Sequence, residues 1–544
     1  MQRLSRPLDA VAPHYDVVVV GSGYGGGVAA ARLARAGMRV AVLERGREIQ
    51  TGDFPTRFPE LSRELRVTGR HVRTGAETAL YDVRIGEDMH VVVGCGLGGG
   101  SLVNAGVALR PDPRVFADPI WPGQLRQDGL VEEGFRRAER WLRPAADPLA
   151  AGFPKFQALA RAGEAVGQAP VAPPVAVSFQ DTVNPAGIAQ PACTRCGDCC
   201  GGCNVGAKNT VAQTYLPEAA RKGAEIFTQA KVRYVERAKE GGWHVHVARL
   251  DGGAGTQTHI TITAANVVLA AGTLGSTEIL LRSREHGLAL SDRLGERFSA
   301  NGDIIAFGYG AAVPVNAIGI GHPPKADLPA VGATVTGQIE ICDEANLDHG
   351  LCVQEGALPS AIAPALPVMF LPNGRLLGAI QSLVSGVYKG PFARLQTFFA
   401  VSHDTAAGRL VLENGEIVLS WPGAKDEPVQ KRLDEILSRL VTAVGGTYVK
   451  NPLAGTVLGR QPATAHPLGG AVMGKDAAEG VVDHKGRVFD ASAGGTAVHA
   501  GLYVVDGSVI PRSLGVNPLL TITALAERAM LHFGADHGLA IADG

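Results

Sequence analysis

The chain has 544 residues, of which 51 are Lys or Arg and 52 are Asp or Glu, and its formal net charge is −1. This balance argues against a nucleic-acid-binding surface and against an acidic tail. No apolar run approaches the roughly 20 residues that a membrane span needs, and the N-terminal residues lack the apolar core of a signal peptide. We therefore expect a cytoplasmic protein without a membrane span, long enough for two interleaved domains.

The first predicted element is a buried strand at residues 15–20, which leads directly into the pattern G-x-G-x-x-G. A small-residue helix is predicted over residues 28–36 and a second strand over 39–43, ending at Glu44. The helix N-terminus can face a pyrophosphate, and the carboxylate can bind ribose hydroxyls, so the segment predicts a dinucleotide site. Glu44 disfavours NADP, but these residues do not separate NAD from FAD. The alternative is an ordinary βαβ turn.

A second glycine-rich segment follows an apolar run at residues 90–93 and reads GCGLGGGSLVN from 94 to 104. Further glycine-containing or small-residue segments occur downstream, at residues 270–278, 465–470, 502–508 and 514–518. Between them, residues 300–452 predict an antiparallel sheet with helices, one of them over residues 427–444.

Five cysteines fall within eleven residues, and four of them have the C-x2-C-x2-C-x3-C spacing of a bacterial-ferredoxin loop. The predicted metal ligands are Cys193, Cys196, Cys199 and Cys203, with Cys200, Cys342 or Cys352 as alternatives for the fourth. An iron–sulfur cluster, [4Fe–4S] in type, is favoured because a zinc ribbon usually separates its two Cys pairs widely. Zinc and plain thiols are the alternatives, and disulfides are the least favoured because nothing else marks the chain as secreted.

Together, the N-terminal unit, the 94–104 segment and the downstream segments resemble the glucose–methanol–choline (GMC) oxidoreductase family, nearest to its cholesterol oxidase branch. The resemblance implies an α/β fold, in which a Rossmann-like FAD-binding domain is interleaved with an α+β substrate domain built on an antiparallel sheet. The implied limits are 15–110, 204–301 and 453–544 for the FAD domain, 111–192 and 302–452 for the substrate domain and lid, and 193–203 for the Cys-rich loop.

The same resemblance implies that the cofactor is FAD. Some family members attach FAD covalently through a His in the flavin-wrapping segment, but no His lies between Gly94 and Asn104, so we expect non-covalent FAD. The residues implied to bind it are Gly21, Gly23, Gly26, Glu44, Gly94, Gly98, Gly99, Ser101, Asn104, Ala271, Asp506, Gly507, Asn517 and Pro518.

His466 and Asn517 match the active-site pair of the family. A His of near-neutral pKa can take the hydroxyl proton while hydride leaves the carbon, and an amide can orient the oxygen. Glu355 is a third catalytic candidate, because cholesterol oxidases also use a Glu at a similar distance before a proline. The alternative for Glu355 is an exposed loop acid.

The cysteine run departs from the cholesterol oxidase pattern, although Cys-rich inserts occur near this place in relatives that oxidise long-chain alcohols. We therefore expect an FAD-dependent dehydrogenase that converts an apolar alcohol (sterol-like, alicyclic or long-chain) to a ketone or aldehyde. Its electrons would pass through the iron–sulfur cluster to an acceptor protein or quinone. One alternative is an oxygen-using oxidase that makes hydrogen peroxide and keeps a structural zinc or thiol loop. Another is a catalytically silent flavoprotein whose Cys loop docks a redox partner.

Overall fold

The computed structural model describes residues 3–252, 259–370, 386–450 and 461–543. Its strands are β1 (Ser5–Arg6), β2 (His14–Val20), β3 (Val40–Leu43), β4 (Leu65–Gly69), β5 (Val72–Thr74), β6 (Tyr81–Ile85), β7 (His90–Gly94), β8 (Thr182–Val183), β9 (Ala189–Gln190), β10 (Glu225–Phe227), β11 (Ala230–Arg237), β12 (Trp243–Arg249), β13 (His259–Leu269), β14 (Ile304–Tyr309), β15 (Gln338–Ile341), β16 (Leu351–Gly356), β17 (Gln396–Ser402), β18 (Arg409–Glu413), β19 (Glu416–Ser420), β20 (Thr447–Val449), β21 (Ala463–Thr464), β22 (Arg487–Phe489) and β23 (Val498–Val504). Its α-helices are α1 (Tyr24–Arg35), α2 (Phe58–Arg63), α3 (Arg114–Ala117), α4 (Gln124–Gln127), α5 (Leu130–Leu142), α6 (Pro154–Glu164), α7 (Tyr215–Arg221), α8 (Gly272–Glu285), α9 (Leu366–Met369), α10 (Pro428–Ala443) and α11 (Leu519–His537).

The largest sheet has a parallel centre of β10, β3, β2, β13 and β23, as expected for a Rossmann-like domain. Strand β2 is buried on both faces, which explains its run of β-branched valines. Val17 and Val19 belong to the core that contains residues of α1 and α11, whereas Val18 belongs to the core on the α8 side. The predicted strand–helix–strand unit is therefore present, with α1 beginning at Tyr24, four residues before the predicted start.

The second sheet is antiparallel and has the order β15-β16-β17-β14-β20. Helix α10 packs on it through Leu433, Leu437 and Leu440, which are fully buried at helical spacing. The predicted helix over residues 427–444 is observed as Pro428–Ala443. The predicted fold class, a Rossmann-like domain combined with an antiparallel substrate sheet, is confirmed.

A third sheet connects distant parts of the chain in the order β21-β7-β6-β4-β5. Strand β21 pairs in parallel with β7, which places the segment after Thr464 beside the glycine-rich segment after β7. The domain limits proposed from the sequence stay predictions, and residues 253–258, 371–385, 451–460 and 544 within them lie outside the described residues. In the described ranges, none of the helices combines the length and the apolar character that crossing a membrane requires.

Candidate active site

A cavity of about 890 Å³ lies where the ends of β2, β3, β13 and β23 face the antiparallel sheet. The carboxyl ends of parallel strands are the usual ligand site of such sheets. The N-terminus of α1, the residues after β7 and the faces of β14, β16 and β17 complete the lining. The cavity therefore joins the two halves of the fold.

The glycines after β2 give this cavity the shape that a dinucleotide needs. Gly21 has φ +92, and a Cβ there would lie 2.4 Å from the Ala270 carbonyl oxygen. A Cβ on Gly26 would lie 2.1 Å from the Gly21 oxygen, so only glycine permits this close turn of strand into helix. At Gly23 and Gly100, which line the cavity, a Cβ would meet no protein atom within 4 Å. That open space beside the helix N-terminus fits a bound pyrophosphate.

The Glu44 carboxylate is fixed at the end of β3 and lines the cavity. It accepts hydrogen bonds from Ser22 Oγ at 2.6 Å, Ser22 N at 3.1 Å and Gly46 N at 2.7 Å. Such an anchored acid is what recognition of ribose hydroxyls requires. The residues around it therefore fit the adenosine end of FAD.

Asp506 fastens the end of β23 to the beginning of α8. Its Oδ2 accepts from Gly272 N at 2.9 Å and Ser276 Oγ at 2.5 Å, while its Oδ1 accepts from Ser508 N and Oγ. Burial raises the pKa of Asp506 more than these bonds lower it. Asp506 thus holds a helix N-terminus at the cavity wall.

The other residues implied to bind FAD divide into two groups. Those that line the cavity are Gly94, Gly99, Asn104, Ala271, Gly507, Asn517 and Pro518. Gly26, Gly98 and Ser101 are not part of the lining. The Ser101 hydroxyl donates to the Gly98 carbonyl at 2.6 Å and accepts from Val211 N. It therefore stabilises the conformation of the glycine-rich segment without facing the cavity.

His466 reaches the cavity because β21 pairs with β7, two residues before it. Its Nδ1 is 2.8 Å from Asp303 Oδ1, and Asp303 Oδ2 accepts from Thr464 Oγ1 and from the backbone of residues 465 and 466. Burial lowers the pKa of His466, but the Asp303 charge and hydrogen bond outweigh burial, so the pKa is raised overall. The described residues provide no hydrogen-bond partner for Nε2, the ring nitrogen left to meet a ligand.

Asn517 lies in the turn before α11 and also lines the cavity. Its Oδ1 accepts from Gln354 Nε2 at 2.6 Å. Asn301 holds the turn, because its Oδ1 accepts from Leu514 N at 2.8 Å and its Nδ2 donates to the Val516 carbonyl at 2.8 Å. With Oδ1 occupied, the Asn517 amide has its N–H groups to offer a substrate oxygen.

Glu355 is not brought to this site. It is fully buried, does not line the cavity, and has both oxygens 2.9 Å from Lys155 Nζ. It also accepts from Thr336 N at 2.6 Å and Gly337 N at 2.8 Å. The alternative of an exposed loop acid does not describe it either, since Glu355 lies within β16.

Sequence reasoning missed two residues, Asp303 and Gln354. Gln354 precedes Glu355 on β16, and successive side chains of a strand point to opposite faces, so alternation offered a signal. The sequence offered no signal for Asp303, because its contact with His466 spans 163 positions and follows no recognisable spacing.

The Cys-rich loop lies against the same cavity, since Cys200 and Gly201 are part of its lining. The hydroxyl of Tyr81 donates to the Cys200 carbonyl at 2.6 Å. Asp198 anchors the loop by accepting from Ser360 N at 2.6 Å and Gly321 N at 2.8 Å. The loop is therefore a wall of the cavity rather than a surface appendage.

All eight cysteines are free thiols, and two of those in the loop accept backbone N–H groups. Arg195 N is 3.3 Å from Cys193 Sγ, and Thr334 N is 3.5 Å from Cys199 Sγ. Burial, followed by the nearby Cys199, raises the pKa of Cys193 to about 12. The buried Lys208 donates to the carbonyls of Cys199, Leu102 and Asn104, and so ties the loop to the glycine-rich segment after β7.

The thiols are not spaced for a single ion. Across the described residues, no three cysteine sulfurs lie within 4.8 Å of one another. Two sulfur ligands of one tetrahedral zinc would be about 3.8 Å apart. Three of these thiols would therefore have to move closer together to bind one zinc ion.

The chain matches one protein family along most of its length and is similar to several curated proteins. Models described as GMC oxidoreductase match residues 15–300 and 444–526. A cholesterol oxidase of Mycobacterium tuberculosis is 28% identical over 95% of this chain and 90% of its own length, and the long-chain-alcohol oxidase FAO4B of Arabidopsis thaliana is 27% identical over 94% and 66%. The crystal structure of pyridoxine 4-oxidase from Mesorbium loti aligns with a TM-score of 0.61 at 18% identity, over 96% of this chain and 99% of that one, and it shows the fold alone.

Proposed function

The chain belongs to the GMC oxidoreductase family, and we propose that it oxidises an apolar alcohol to a ketone or aldehyde, with His466 as the base. Family membership makes it an FAD-dependent oxidoreductase that acts on alcohol-type donors. FAD, when bound, supplies the acceptor for the hydride that leaves the alcohol carbon.

The observation that carries the proposal is that His466, paired with Asp303, and Asn517, paired with Gln354, line the same cavity. Asp303 holds Nδ1, so Nε2 is the atom that takes the hydroxyl proton. The carboxylate then stabilises the imidazolium that forms. Asn517 donates a hydrogen bond to the substrate oxygen and so keeps the carbon in a fixed position.

The proposal of an apolar substrate rests on one row of side chains across the antiparallel sheet. Ile305, Phe399 and Gln354 stand opposite one another on β14, β17 and β16, and all three line the cavity. Further along the wall are Ile362, Met369 and Val401. Gln354 is the polar member of the row, and its amide already donates to Asn517. The row therefore offers the body of the substrate apolar contacts, and only the substrate hydroxyl needs polar partners.

Flavin reduction by an alcohol excess tests the role of His466. In stopped-flow measurements we expect His466→Ala to slow bleaching about 10²- to 10⁴-fold, the usual contribution of a general base. FAD content should stay at the wild-type level. The matched control is His71→Ala, on the exposed turn between β4 and β5, which should bleach at the wild-type rate. A rate within twofold of wild type for His466→Ala would remove the proposed mechanism.

We further propose that Cys193, Cys196, Cys199 and Cys203 hold an iron–sulfur cluster. Such a cluster would let the two electrons of each alcohol leave singly, to an acceptor protein or a quinone. The N–H···S contacts and the position against the cavity support this proposal. The rival is transfer to oxygen with release of peroxide, which the oxidase names of the relatives favour.

Metal analysis separates the two acceptors. We expect about four irons and four sulfides per chain, with a paramagnetic signal after dithionite. Cys199→Ser should lose the iron and turnover with a one-electron acceptor, yet keep alcohol-driven flavin bleaching. Cys342→Ser, at an exposed cysteine that is an alternative fourth ligand, should change neither, because the four loop thiols complete the ligand set. Iron-free protein that makes peroxide stoichiometrically would identify an oxidase.

A further inference from the structure

Two groups of side chains outside the cavity bring three metal-ligand atoms within 4.8 Å of one another in the described ranges. The first is Asp128, His484 and His532. Arg528 lies inside this group, because its Nη2 is 2.9 Å from His484 Nδ1 and also pairs with Asp128. A guanidinium already fills the place of a cation there, so this group is not a metal site.

The second group is Glu236, His244 and His246, on the hairpin of β11 and β12. Glu236 is paired directly with His244, and His246 follows two residues later, so the three side chains leave the same face of the sheet. Their side chains are 37%, 35% and 22% exposed, which gives an ion access from solvent. None of them lines the FAD cavity.

Two of the three separations are close to those between ligands of one tetrahedral ion. Glu236 Oε1 is 3.0 Å from His246 Nε2 and 3.5 Å from His244 Nδ1. Two ligand atoms that each lie about 2.1 Å from zinc are about 3.4 Å apart. The carboxylate oxygen is therefore near ligand–ligand distance from both ring nitrogens, and all three atoms lie within 4.8 Å of one another.

The His246 ring is also held in a ligating orientation. Thr261 Oγ1 lies 3.3 Å from its Nδ1, which leaves Nε2 for an ion, as is usual when the second nitrogen of a ligand His is engaged. The ring stacks on Tyr234 with centroids 4.1 Å apart, and Tyr234 stacks on His286 at 3.6 Å. This ring stack ties the hairpin to the end of α8.

We propose that Glu236, His244 and His246 bind Zn²⁺, with water in the fourth position. Two imidazoles and one carboxylate are a zinc-binding set, and an ion bridging the strands would brace the hairpin. The site is separate from the thiols of the Cys-rich loop and from the flavin cavity, so its presence does not depend on the proposed function.

The experiment is a calorimetric titration of chelator-treated, FAD-loaded protein with Zn²⁺ alone. We expect a zinc ion per chain whose binding is lost in His244→Ala and in His246→Ala, and kept in the control His71→Ala. Thr261→Val keeps all three ligands and should weaken binding about 10- to 100-fold. Flavin content and circular dichroism report whether each variant is folded.

Cobalt(II) identifies the ligands independently of affinity. Binding at the hairpin should give ligand-field bands without the sulfur-to-metal charge transfer that cysteine ligands produce, and these bands should vanish in His246→Ala. The proposal is overturned if wild-type protein binds no Zn²⁺, if both His variants bind it with unchanged affinity, or if every bound cobalt shows sulfur charge transfer.

Discussion

The two polar side chains of the candidate site, His466 and Asn517, have partners of different charge. On one side His466 is backed by a carboxylate, Asp303, at 2.8 Å, and on the other Asn517 is backed by an amide, Gln354, at 2.6 Å. The carboxylate favours a positive charge on its partner and raises the pKa of His466 against the opposing effect of burial. The amide leaves its partner neutral and fixes only its orientation.

This difference indicates a division of labour between the two sides. A charged partner is useful where a proton arrives, because the protein must then stabilise a new cation. A neutral partner is useful where an oxygen has to be held without being ionised. Changes on the His466 side should therefore alter the pH dependence of catalysis, whereas changes on the Asn517 side should alter its rate at every pH.

Glu355 pairs with Lys155 and with neither His466 nor Asn517, and the substitution with the largest expected effect tests this assignment. Glu355→Gln leaves Lys155 buried without its charge partner, which should cost about 3–5 kcal/mol of unfolding free energy. Denaturant unfolding of the FAD-loaded protein measures this loss. A catalytic Glu355 would instead give a stable protein that has lost its rate of flavin reduction.

The double variant Glu355→Gln/Lys155→Met serves as the control for that loss. Because it removes both buried charges together, it should recover most of the unfolding free energy. Its rate of flavin reduction should lie within a few-fold of wild type. A stable double variant with hundredfold slower reduction would place Glu355 in the chemistry after all.

A smaller effect is expected from Asp303→Asn. The Asp303 charge raises the pKa of His466, so removing it lowers that pKa, and the acid limb of kcat/KM should move to lower pH. Loss of a charged hydrogen bond costs about 1.5–3 kcal/mol, so kcat/KM on its pH-independent plateau should fall about 10- to 150-fold. The measurement is kcat/KM against pH with a saturating electron acceptor.

Asp404→Asn is the matched control for Asp303→Asn. Asp404 accepts from Ser299 Oγ and from the backbone of residues 300 and 302 in the same turn, but it does not contact His466. It should leave the acid limb in place. An acid limb that Asp303→Asn does not move would show that His466 is not the group that titrates.

The residues that could be predicted from the sequence are those whose partners are near in the chain or belong to a recognisable segment. The turn of β2 into α1 is specified by neighbouring glycines, and His466 and Asn517 lie in segments that resemble a known family. Asp303 and Gln354 each contact a residue 163 positions away in the chain, and no local pattern marks such a contact. The choice between Gln354 and Glu355 depends on which face of β16 meets the cavity, and the buried Lys155 on α6, 200 positions away from Glu355, receives the carboxylate.

The smallest effect, and the sharpest test of the comparison, is expected from Gln354→Leu. The substitution keeps the volume of the row but frees Asn517 Oδ1, so the amide can turn and misplace the substrate oxygen. A neutral hydrogen bond contributes about 0.5–1.5 kcal/mol, so kcat should fall about 2- to 12-fold with the acid limb unmoved. Gln396→Leu, at a buried glutamine of β17 outside the cavity lining, should leave kcat unchanged. A shifted acid limb in Gln354→Leu would mean that the two sides of the cavity share one proton network, and the division of labour between a charged and a neutral side would be wrong.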